Sequence, residues 1–143
     1  MKRISILLMI GLLSAVLPSF LIPVMAEQGS SPNTAASPIL KRSVMCEGLQ
    51  DGLPVDQTIV FDVSKRSAYC WSDFDPVMEE GIIYHKWYRN GELVYDQPLA
   101  VRPPRWATYS NLRLRQADVG PWRLDITNES GEVLKTLRFS ITE

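Results

Sequence analysis

Residues 82–95 read Ile82-Ile83-Tyr84-His85-Lys86-Trp87-Tyr88-Arg89-Asn90-Gly91-Glu92-Leu93-Val94-Tyr95, and this stretch decides the fold class. The run up to Tyr88 is rich in β-branched and aromatic side chains, which suit a pleated, half-buried surface. Asn90-Gly91 follows, a pair that readily takes two consecutive positive-φ positions of a tight hairpin turn. Two antiparallel strands are expected on either side of it. Alternation places His85 and Trp87 on one face of the first strand and Tyr84, Lys86 and Tyr88 on the other.

The same style recurs on both sides of this hairpin. Thr58–Val63 and Ser67–Phe74 are β-prone, and Trp122–Thr127 alternates cleanly. Asn128-Glu129-Ser130-Gly131 turns the chain, and Glu132–Ile141 returns with Leu137, Phe139 and Ile141 on one face. Beyond the first residues no segment keeps an i, i+3, i+4 apolar pattern over three turns. About seven strands in residues 39–143 predict an all-β fold, an antiparallel β-sandwich, immunoglobulin-like or related. A small barrel is the alternative. Trp87 and Trp122 are expected inside.

The chain has 143 residues, enough for one domain of this kind, with ordinary apolar and charged fractions of 45% and 22%. A single histidine excludes a multi-histidine metal centre, so neither metal nor cofactor is expected. The net charge of −1 gives no global basic field toward nucleic acid. Lys2 and Arg3 precede an uncharged run from Ile4, and Val24-Met25-Ala26 supplies small residues around a cleavage position. Residues 1–26 therefore read as a secretory signal peptide, and the mature protein as periplasmic or secreted. The alternative is an uncleaved inner-membrane anchor over residues 4–26, since about 20 apolar residues span a bilayer. Membrane contact is expected only in that case. Residues 27–38 (EQGSSPNTAASP) hold no large apolar residue and read as a flexible linker. Loss of Lys2 and Arg3 with the signal takes the net charge from −1 to −3.

Cys46 and Cys70 are the only cysteines. In an oxidising compartment an even pair is expected to form a disulfide, worth about 3 kcal/mol for a loop of this length on the chain-entropy account. Two buried thiols are the other possibility. Asp73, Asp75, Glu79 and Glu80 form an acidic loop read as solvated rather than as a calcium site. Arg102, Arg105, Arg113, Arg115 and Arg123 fall within a short span; on one face they would grip an anion, and otherwise they are ordinary exposed charges.

The densest group of unusual side chains is His85 and Trp87 followed by Arg105, Trp106, Tyr109 and Ser110. A buried His85 needs a partner for each nitrogen, and Ser110 or Tyr109 is a candidate for one. Trp106, after Pro103-Pro104-Arg105, is expected in an exposed loop. If these six residues form a binding surface, Trp106 stacks on the ligand, Arg105 pairs with an anion, and His85 and Ser110 fix orientation. Ser110 lacks a Gly-x-Ser-x-Gly turn, so a serine hydrolase using Ser110 and His85 is a minor reading, and no catalytic residue is assigned.

Taken in order, several residues resemble the bacterial family DUF2914, across Val44 to Ile141. They are Cys46, Pro54, Phe61, Tyr69-Cys70, Ile83-Tyr84-His85-Lys86-Trp87-Tyr88 with Gly91, and Arg105-Trp106-Ala107-Thr108-Tyr109-Ser110. Gly120-Pro121-Trp122-Arg123-Leu124, Gly131-Glu132-Val133-Leu134 and Phe139 complete the set. Pro121 stands where the resemblance predicts a polar residue. The resemblance implies a small β-rich domain of exported or membrane-attached bacterial proteins, with no established catalytic activity, cofactor or substrate. The expectation is a non-catalytic binding or interaction module of the bacterial envelope, its partner an envelope protein or a glycan and not nucleic acid. A glycan-binding accessory domain, for peptidoglycan or another polysaccharide, is the alternative.

Overall fold

The computed structural model describes residues 36–143. The expected signal peptide and the linker up to residue 35 lie outside the described residues. The strands, in chain order, are β1 (Leu40–Gln50), β2 (Leu53–Gln57), β3 (Val60–Asp62), β4 (Ser67–Phe74) and β5 (Gly81–Arg89). They continue as β6 (Glu92–Val101), β7 (Trp106–Arg113), β8 (Gly120–Asn128) and β9 (Val133–Thr142). They build a four-stranded sheet, ordered β2-β1-β4-β7, and a five-stranded sheet, ordered β3-β9-β8-β5-β6. The protein is a β-sandwich, as expected.

The strand count is nine among the described residues rather than about seven, for two local reasons. Asp51 and Gly52 both have positive φ, 52° and 76°, so the first strand region folds into a hairpin, β1–β2. Asp-Gly is a tight-turn signal in its own right. Then Thr58–Val63 yields only three strand residues before a short 3-10 turn, Val63–Lys65, capped by the Asp62 carboxylate on the Ser64 N–H at 2.7 Å. Those three residues, β3, pair in parallel with β9, so the five-stranded sheet is mixed rather than purely antiparallel. The chain crosses here from the edge of one sheet to the edge of the other, and it arrives running alongside the last strand.

The hairpin at Asn90-Gly91 forms as its sequence requires, with φ of 50° and 82°. It joins β5 to β6 with His85 opposite Gln97 and Lys86 opposite Asp96. The turn after β8 is tied by Asn128. Its side-chain oxygen accepts from the Glu132 N–H at 2.9 Å and from the Ser130 hydroxyl at 2.8 Å.

Alternation sets the core. From β5 come Ile83, His85 and Trp87, all fully buried, and from β8 come Trp122, Leu124 and Ile126. Phe139 on β9 is the aromatic centre, with Phe61 and Trp87 edge-on at 5.7 Å and Trp122 stacked at 6.1 Å. The four-stranded sheet covers them with Met45, Ala68, Cys70 and Phe74. Ala36 and Ser37, the last part of the expected linker, already touch this body. The Ala36 N–H donates to Glu79, and Ser37 accepts from the Asn128 side chain.

Candidate functional site

His85 sits between the two sheets with no exposed surface. Its Nε2 lies 2.9 Å from Ser72 Oγ on β4, and its Nδ1 lies 2.8 Å from Ser110 Oγ on β7. Trp87, two residues along the same face, donates its indole N–H to the same Ser110 oxygen at 3.1 Å. In either neutral tautomer one ring nitrogen donates to a serine hydroxyl and the other accepts from one. The network thus cross-ties the two sheets at their centre.

Burial pushes the His85 pKa down to about 3, because no carboxylate is there to compensate a charge in the core. The imidazole is neutral throughout the physiological range. Ser110 and His85 stand at the separation of a nucleophile and its base. They are enclosed, however, at 4% and 0% exposure, and the far ring nitrogen meets a serine rather than an orienting carboxylate.

The six candidate residues therefore do not form one surface. His85, Trp87 and Ser110 are brought together, but inside. Trp106 is the first residue of β7 and not part of an exposed loop. It is half-buried against the core, and Arg102 lies over its ring at 5.5 Å. Arg105 is exposed, but its guanidinium grips the buried Asp73 carboxylate with bonds of 2.9 and 2.6 Å. Tyr109 alone presents its ring to solvent, at 49% exposure. It neighbours Ser110 in sequence and points to the opposite face of β7.

The expected disulfide is absent. Cys70 pairs with Met45 and Cys46 with Tyr69 across the β1–β4 ladder. Consecutive residues of a strand point to opposite faces, so Met45 and Cys70 face the core while Cys46 faces away from it. Both thiols are free and buried, and burial raises both pKa values. The acidic loop is also dispersed. Asp75 pairs with Lys41 at 2.8 Å, Glu80 with Arg102 at 3.8 Å, and Asp73 with Arg105. Most of the arginine set is spent internally as well, with Arg115 bidentate to Asp118 and Arg123 at 3.3 Å from Asp125.

The outward face of the four-stranded sheet carries what the sequence reading missed. Tyr69, Trp71 and Asp73 alternate outward on β4, and Tyr109 stands opposite Trp71 on β7. The Tyr69 and Tyr109 rings lie 6.2 Å apart. Arg42, from β1, lies over Trp71 at 5.9 Å. The turn of the first hairpin reaches this face, where the Gly52 carbonyl accepts the Trp71 indole N–H at 2.9 Å. The result is an aromatic strip flanked by Arg42 and by the Arg105–Asp73 pair. Ser72, the second partner of His85, was also unforeseen; it shares the inward face of β4 with Cys70.

These features define the class: a two-sheet β-sandwich, cross-tied by a buried neutral histidine and bearing an aromatic strip on one outer face. Residues 81–141 match the sequence model of DUF2914, a family of proteins of unknown function. The matched stretch runs from β5 into β9. It holds His85, Trp87, Arg105, Trp106, Tyr109 and Ser110, and it leaves Cys46, Tyr69, Cys70 and Ser72 outside. No curated protein matches the chain.

Proposed function

We propose that this protein is a non-catalytic binding module of the bacterial envelope, and that it binds through the outward face of its four-stranded sheet. The observation that carries the reading is the Tyr69–Tyr109 pair at 6.2 Å, with the Tyr109 ring open to solvent and Arg42 nearby. Tyrosine offers a large rigid contact area with a polar tip, and arginine adds charged, directional donors. His85, Trp87 and Ser110 serve this face from behind by holding β4 and β7 in place. Export is supported by Lys2, Arg3 and the uncharged run after them, which have the composition of a secretory signal.

A glycan is the partner favoured by the strip itself, because adjacent aromatic rings on an outer sheet face suit the apolar faces of sugar rings. The test is sedimentation of the full chain with purified peptidoglycan sacculi and, separately, with protein-bearing envelope fragments. Retention on sacculi that Tyr69→Ala abolishes supports the glycan reading. Retention on protein-bearing fragments alone supports an interaction module. Retention on neither, or retention unchanged by the substitution, refutes the proposed face.

A further inference from the structure

The outward face of the other sheet holds an arrangement that the binding strip does not explain. Across β5, β8 and β9, Tyr88 stands opposite Arg123, and Arg123 stands opposite Arg138. Like charges directly opposite on neighbouring strands repel, so a cross-strand arginine pair is costly when nothing lies between its members. Asp125 meets Arg123 at 3.3 Å, and no carboxylate meets Arg138 among the described residues. The Arg123 guanidinium lies over the Tyr88 ring at 4.2 Å, a stacking that holds it in place. Its Nε is buried without a hydrogen-bond partner among the described residues. Buried donors of this kind are ordinarily satisfied. A cavity of about 190 Å³ opens at the same place. It is lined by both arginines, Tyr88, Trp122, Pro121 and the Asn90-Gly91 turn.

We infer that this cavity is a binding site for a phosphate-class oxyanion, held between Arg123 and Arg138. An anion seated there offsets the charge that Asp125 leaves uncompensated and accepts directional hydrogen bonds from each planar guanidinium. Two planar guanidinium forks present more donors than a single carboxylate can accept, which ranks the tetrahedral phosphate above it. The site lies on the opposite sheet from the aromatic strip and shares no residue with it.

The probes are inorganic phosphate and glycerol 3-phosphate, titrated into the full chain against sodium chloride of equal ionic strength. At saturating phosphate the Tm rises by about 4 °C or more over the chloride control. Arg138→Gln removes that rise, while in phosphate-free buffer it leaves Tm unchanged or higher, because the repulsion is relieved. Stabilisation by both probes assigns the site to a phosphate group carried on a larger ligand, and stabilisation by inorganic phosphate alone assigns it to the free ion. The inference is overturned if phosphate does no more than chloride, if acetate stabilises as well as phosphate, or if Arg138→Gln keeps the full response. Arg138 is exposed, so the variant folds; Arg123→Lys, which keeps the charge but loses the planar fork, gives a second reading with the response diminished.

Discussion

At the scale of single residues, His85 illustrates how a side chain usually associated with chemistry can be the keystone of a core. Its two nitrogens and the indole of Trp87 share two serine hydroxyls, and each group removed strands another. Ser110→Ala leaves His85 Nδ1 and the Trp87 Nε1–H without partners, and unsatisfied buried groups cost about 1–3 kcal/mol apiece. The expected loss, about 2–4 kcal/mol, is read as a lower urea midpoint with an unchanged slope. The imidazole also makes stability depend on pH. Its folded pKa of about 3 lies below the ordinary 6.5, so between these values the unfolded chain binds a proton that the folded chain does not. The contribution is fully present above pH 6.5 and falls as the solution is acidified, by up to about 1.4 kcal/mol per pH unit. Urea titrations at pH 6.5 and 5.5 should show this slope in the native chain and lose it in His85→Gln. An equal slope in both would assign the acid sensitivity to carboxylates.

The strands and turns show how much the sequence disclosed. The Asn90-Gly91 hairpin, the β4 and β5 boundaries and the inward placement of Trp87 and Trp122 were legible, because period-two alternation and a positive-φ turn are local properties. Asp51-Gly52 was equally local and went unread, which is why the strand count came out low. The parallel β3–β9 pairing was not legible, since it joins residues about 80 positions apart and leaves no local mark. Ser72 left no mark either, because which strand lies across the core from β5 is a tertiary property that alternation along β4 does not disclose. The Pro103-Pro104 pair suggests a loop that runs through Trp106, whereas β7 begins at Trp106 itself, and its ring is half-buried against the core. Two predictions belong to this scale. Gly91 has φ 82°, so Gly91→Val strains the turn and should lower stability by about 1–2 kcal/mol in urea titration. Phe139→Ala removes the ring on which Phe61, Trp87 and Trp122 converge and should cost about 3–5 kcal/mol.

For the molecule as a whole, chemistry-bearing side chains are distributed over three layers. The inner layer holds His85, Trp87, Ser72 and Ser110 and keeps two sheets in register. One outer face carries the aromatic strip, and the other carries the paired arginines. The sequence brought the right residues to notice but could not tell these layers apart, because a side chain's direction depends on which strand it joins and what covers that strand. Tyr109 and Ser110 make the division testable, for they are neighbours in the chain that face opposite ways. The most direct measurement compares Tyr109→Ala with Ser110→Ala in two assays on the full chain, retention on isolated envelope and urea stability. The binding-face account predicts that Tyr109→Ala loses retention and keeps stability within about 0.5 kcal/mol, as surface changes ordinarily do. It predicts that Ser110→Ala loses stability and, where still folded, keeps retention. Retention unaffected by Tyr109→Ala, or abolished by Ser110→Ala in a folded protein, would contradict it.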